Sequence, residues 1–121
     1  MKKLTCLTIC ASLLLALSGC YYDNEQSLYP GTKCDTANVT FSGSVAPIFD
    51  ANCITCHNSV SPSNNIDLST YAGAHAVPTS VLIGVITWQS GFPQMPKGGS
   101  QLSSCDISKI EIWIRNGEPN N

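Results

Sequence analysis

Residues 53–58 read CITCHN: two thiols three positions apart, with an imidazole directly after the second. Three chemistries use these side chains at this spacing. A Cys-x-x-Cys pair can cycle between dithiol and disulfide. Two thiolates so separated can form half of a tetrahedral zinc site. Two thiols followed at once by histidine form the attachment signature of a c-type haem, in which Cys53 and Cys56 meet the two vinyl groups and His57 reaches the iron.

The haem reading calls for a second axial group or an open face on the iron, and the sequence offers two candidates. Met95 lies 38 residues after His57, in the segment GFPQMPKGGS, with Pro93 and Pro96 on either side. Prolines restrict the backbone where a ligand must be held. A methionine filling a core gap fits a loop rich in proline and glycine poorly. His75 is the rival, in the stretch TYAGAH of residues 70–75. A second imidazole would give a lower potential than a thioether, whereas a lone helical histidine is more often half-exposed and hydrogen-bonded.

Which cysteines are free for such work depends on the amino-terminal segment. Met1, Lys2 and Lys3 precede an apolar run over residues 4–17 that ends in Leu17-Ser18-Gly19-Cys20. The run is short for a transmembrane helix and reads as a signal peptide over residues 1–19. Its last four residues resemble the lipobox of bacterial lipoproteins, which implies that Cys20 becomes an acylated amino terminus carrying several chains, enough for stable anchoring. The expected location is the bacterial cell envelope, lipid-anchored and facing the periplasm or exterior. Of seven cysteines, Cys6 and Cys10 leave with the signal and Cys20 takes the lipid, so four remain. An exported chain with four cysteines has two disulfides as its default, in three possible pairings. If Cys53 and Cys56 serve together in another role, Cys34 and Cys105 are left as a pair.

Loss of the signal removes two lysines. Lys33, Lys97, Lys109 and Arg115 then face eight acidic residues, for a net charge of −4. These cations are scattered, which gives nucleic acid no electrostatic footing.

The elements that must position the motif are short. Residues 20–40 are polar, lack periodicity and contain Pro30-Gly31, so they read as a tether with a reach of about 25 Å, its later part pinned to the domain if Cys34 is bonded. The domain proper is expected over residues 41–121. Ser44 is a candidate N-cap for a helix with Val45, Ile48 and Phe49 on one face, and Pro47 is tolerated in its first turn. Residues 58–67 are rich in serine, proline and asparagine and read as loop. Residues 69–77 and 79–88 read as short helices separated by Pro78, followed by a second loop over residues 89–100. Ser103 or Ser104 then caps a final helix with Ile107, Ile110 and Ile114 on one face and Trp113 beside them, stopped at Gly117. No repeat or strand alternation is visible. The expected fold is all-α, with about four short helices and two long loops. So small a domain needs a staple, metal or cofactor, and long loops in it suggest something to wrap.

Taken together, residues 45–114 resemble small monohaem class I c-type cytochromes of the lipoprotein form. Val45-Ala46-Pro47-Ile48-Phe49 before CITCH is similar to the family's first helix, Leu68-Ser69-Thr70-Tyr71 to a recurrent segment after the motif, Met95-Pro96-Lys97-Gly98-Gly99 to its Met-Pro ligand loop, and residues 107–114 to its last helix. The resemblance implies a cytochrome c-like domain around covalently attached haem c, with iron held by His57 and Met95 and the haem bound through Cys53 and Cys56. It implies crossing first and last helices, whose ends a Cys34–Cys105 disulfide would join. Val45 stands where many members have a glycine, which implies a wider crossing.

The implied activity is transfer of single electrons to or from extracytoplasmic redox partner proteins, without catalysis, because both axial positions are filled. Phe49, Trp88, Phe92 and Trp113 are candidates to wall the haem or simply to pack the core. Three other readings use the same residues. One is a haem sensor or peroxidase-like enzyme with a displaceable sixth ligand. Another is a dithiol oxidoreductase. The third is a zinc module that would need a further ligand such as His75 or Cys105.

Overall fold

In this computed structural model residues 34–121 are described. The signal segment, Cys20 and the first part of the expected tether lie outside them. Among the described residues every regular element is helical and none is a strand, an all-α arrangement. A π-helical turn at Phe41–Val45 runs into α1 (Ala46–Asn52), and α2 (Tyr71–His75), α3 (Thr79–Ile86) and α4 (Ser104–Arg115) follow, with a 3₁₀ turn at Ser63–Asn65. No helix among these residues is long and apolar enough to cross a membrane.

The coil starts one turn earlier than Ser44 suggested. Thr40 is extended, its Oγ1 accepts the Gly43 N–H at 3.0 Å, and its own N–H donates to Ser44 Oγ at 3.4 Å. Ser44 is therefore the far partner of a reciprocal box rather than the cap. At the other end of the domain Ser103 caps α4, its Oγ accepting the Asp106 N–H at 3.1 Å. Asp106 in the first turn and Arg115 in the last both complement the helix dipole. Gly117, at φ 87°, stops α4 where the sequence indicated.

Val45, Phe49, Ile110 and Trp113 are the largest side chains sealed from solvent. Helix α4 packs on the Phe41–Val45 turn and on α3, so the first and last helical segments meet through that turn. Val45 is fully buried there. The Phe41 ring meets Tyr71 edge-on at 5.2 Å and Trp113 at 5.5 Å between centroids, within the range where aromatic pairs attract. Residues 34–40 belong to this body: Val39 is buried in the core, and Cys34 is bonded to Cys105 with the Cα atoms 5.4 Å apart.

After α4 the chain lies back over the same aromatic group. Trp113 Nε1 donates to the Pro119 carbonyl at 2.9 Å, the Tyr71 hydroxyl to the Glu118 carbonyl at 2.9 Å, and the Ser42 and Phe41 N–H groups to the backbone and side-chain oxygens of Asn121 at 2.8 and 2.9 Å. This strap supplies partners for the polar atoms of buried Trp113 and half-buried Tyr71 and for the first N–H groups of the coil, which have none within it.

Candidate functional site

The thiols and the imidazole come off a single coil at the carboxyl end of α1. Cys53 is the C-cap, donating its N–H to the Phe49 carbonyl at 2.7 Å. Its own carbonyl then accepts from Cys56 at 3.1 Å and from His57 at 2.9 Å. Cys53 packs half-buried against the core and Cys56 is exposed, and the two are not bonded to each other. Burial pushes the Cys53 thiol up to about 11, because an apolar surrounding disfavours the thiolate.

His57 is held by backbone. Its Nδ1 lies 3.2 Å from the Ile66 carbonyl oxygen. A carbonyl only accepts, so Nδ1 is the donor here, which leaves Nε2 as the ring nitrogen that a metal could take. The His57 carbonyl in turn accepts the Leu68 N–H at 2.8 Å, which laces the motif to residues 66–68. Gly73 makes this lacing possible, since a Cβ there would collide with the Asp67 carbonyl. Within the loop, Asn58 Oδ1 accepts the N–H groups of Val60 and Ser61, both at 3.0 Å, and Ser63 N–H donates to the Cys56 carbonyl at 2.9 Å. The sequence carries no signal for the Ile66 carbonyl and only a bare glycine for the close approach at residue 73.

Met95 is carried by a different element. Its N–H donates to the Val85 carbonyl at 3.0 Å, and its carbonyl accepts the Trp88 indole N–H at 2.8 Å. Met95 itself is half-buried. Thus Cys53, Cys56 and His57 share one turn, whereas Met95 is fixed to the end of α3, and both supports rest on the same core.

His75, the rival ligand, pairs through Nδ1 with Glu118 Oε2 at 2.7 Å and stacks on Tyr71, with 53% of its side chain exposed. Cys105 is taken by Cys34. Among the described residues no three or more His, Cys, Asp or Glu side chains converge as a metal-ion site. The zinc reading therefore lacks the further ligand it needed from either residue. Of the four candidate wall aromatics, Phe49 and Trp113 have no accessible surface and are core, while Trp88 and Phe92 stay half-exposed.

Compared with known proteins, the chain matches no family model, no curated protein and no solved structure.

Proposed function

We propose that this protein is a lipid-anchored monohaem c-type cytochrome that carries single electrons between partners outside the cytoplasm. The observation that carries the reading is the His57 ring: directly after two unbonded thiols, it is held by Nδ1–H donation to the Ile66 carbonyl, so that Nε2 is the nitrogen left for the iron. The donor set fits the group. Cys53 and Cys56 would hold haem as thioethers, His57 through Nε2, and Met95 through its sulfur. Bound there, haem would supply a one-electron iron couple, and thioether ligation by Met95 would raise its potential relative to a second imidazole. The chain's own part is to orient the imidazole through Nδ1, hold Met95 by its peptide, and anchor the domain to a membrane through Cys20.

The dithiol reading meets two obstacles. A nucleophilic thiol is favoured at a helix N-terminus, and Cys53 sits at a helix C-terminus. Burial also moves its thiol toward the protonated form.

The test is production in a host that attaches c-type haem, followed by denaturing electrophoresis with haem staining and by optical spectra of the oxidised and reduced protein. Covalent haem that is lost in Cys53→Ala/Cys56→Ala, with a thioether-to-iron charge-transfer band that disappears in Met95→Ala, is expected. Covalent haem with ready binding of added cyanide to the wild type would instead favour the sensor or peroxidase-like reading. Absence of covalent haem in well-folded protein would sink the cytochrome reading.

A further inference from the structure

Helix α3 leaves four carbonyls at its carboxyl end that the helix itself does not bond, and each finds a partner beyond the helix. Ile83 accepts from the Thr87 N–H at 3.0 Å and its hydroxyl at 2.7 Å, and Gly84 from the Gln89 N–H at 2.9 Å. Val85 accepts from the Met95 N–H at 3.0 Å, and Ile86 from Gln101 Nε2 at 3.2 Å. The Met95 amide is thus one of the caps of α3. Its carbonyl is held from the other side by Trp88, whose indole N–H reaches it at 2.8 Å.

Trp88 does this from φ 57°, a left-handed conformation that bulky side chains rarely adopt and that persists only where the surroundings enforce it. The expected helix over residues 79–88 ends early for this reason: Thr87 closes the last turn and Trp88 reverses the backbone. Phe92 packs its ring on Gly84, where a Cβ would collide with it, and so folds the intervening loop onto the helix.

We propose that Trp88 is a positioning residue for Met95. Its indole N–H holds the Met95 peptide against the end of α3 and thereby sets where the thioether sulfur is delivered. With both N–H and C=O of Met95 fixed, only side-chain torsions remain to place the sulfur. The proposal rests on the reading of Met95 as an iron ligand.

The experiment uses the haem-loaded protein and the variants Trp88→Phe, Trp88→His, Met95→Ala and Gln101→Ala. The last uncaps α3 without touching the Met95 peptide. Three quantities are read: the rate at which imidazole displaces the methionine in the oxidised protein, the temperature at which the methionine–iron band fades relative to global unfolding, and amide hydrogen exchange at Met95 in the reduced protein. Loss of one hydrogen bond predicts displacement about five-fold faster in Trp88→Phe. The band should fade before the fold melts, and Met95 exchange should quicken while Ile110 exchange stays unchanged. Trp88→His, which keeps a ring N–H, should fall between it and the wild type, and Gln101→Ala should match the wild type in displacement rate. Displacement and band in Trp88→Phe equal to wild type, or lost only in step with global melting, overturn the proposal. So does failure of both Trp88 variants to fold. A wild type with covalent haem whose band survives Met95→Ala overturns this proposal alone, and a wild type without covalent haem overturns the cytochrome reading with it.

Discussion

Around Trp113 the side chains of Val45, Phe49 and Ile110 are sealed from solvent, and the indole and Tyr71 hydroxyl both have protein partners in the carboxyl-terminal strap. From residue 53 to residue 67 no residue is fully buried. There the chain is shaped by main-chain hydrogen bonds, the Asn58 side chain and the His57 ring. The first region gains its stability from apolar burial, which is large and tolerates little loss. The second relies on single hydrogen bonds of small net worth, which set direction more than stability. Cys53, Cys56 and His57 therefore lie in the segment where substitution is expected to cost the fold least, while Met95 is held elsewhere.

The sharpest way to break that contrast is to cut one anchor from each region. Trp113→Ala removes a sealed indole and should lower stability by about 3–5 kcal/mol. Asn58→Ala, which frees two loop amides, should cost about 1 kcal/mol. Denaturant titrations of the two variants beside the wild type read the difference, and equal losses would show that the motif segment is as much core as the aromatic cluster.

The two regions also differed in how far the sequence revealed them. The helix of residues 104–115 was legible from the spacing of Ile107, Ile110 and Ile114 and from Ser103 and Gly117, because local periodicity and capping decide it. The motif was legible from residue types alone. The supports of both regions were not. The Ile66 carbonyl that holds His57 and the Val85 carbonyl that holds Met95 are backbone atoms, which every residue has. Gly73 matters because of a close approach by Asp67, Trp88 because of a reversed backbone, and residues 118–121 because of partners lying up to 80 positions away. Thr40 was missed in favour of Ser44 because two hydroxyls four apart serve equally as caps until their hydrogen bonds are known.

A smaller effect is expected from opening the Cys34–Cys105 bond, which joins the segment ahead of the first coil to the first turn of α4 across a separation of 71 residues. Cys34→Ser with Cys105→Ser should cost about 2–4 kcal/mol by relaxing the constraint on the unfolded chain. The loss should fall on the sealed region, lowering the melting temperature while leaving unchanged the room-temperature spectrum that the proposed haem would give. A changed spectrum would mean that the bond also positions the motif, and the separation of roles between the two regions would fail.

The smallest effect probes where the sealed region opens to solvent. Glu118, at φ 54°, turns its carboxylate inward with 12% of the side chain exposed, accepting from Thr79 Oγ1 at 3.0 Å on one oxygen and meeting His75 Nδ1 at 2.7 Å on the other. It thereby ties the strap to α2 and α3 at once. Glu118→Gln keeps the size and one acceptor but gives up the carboxylate's second acceptor oxygen, and should cost about 1 kcal/mol. His75→Ala should cost less, because the imidazole is half-exposed and water can replace its contact with the carboxylate. Thermal melts of the two variants order them. If His75→Ala proves the more damaging, the stacking of His75 on Tyr71 outweighs the contacts of the Glu118 carboxylate, and the aromatic cluster rather than the carboxylate is what closes the strap over the core.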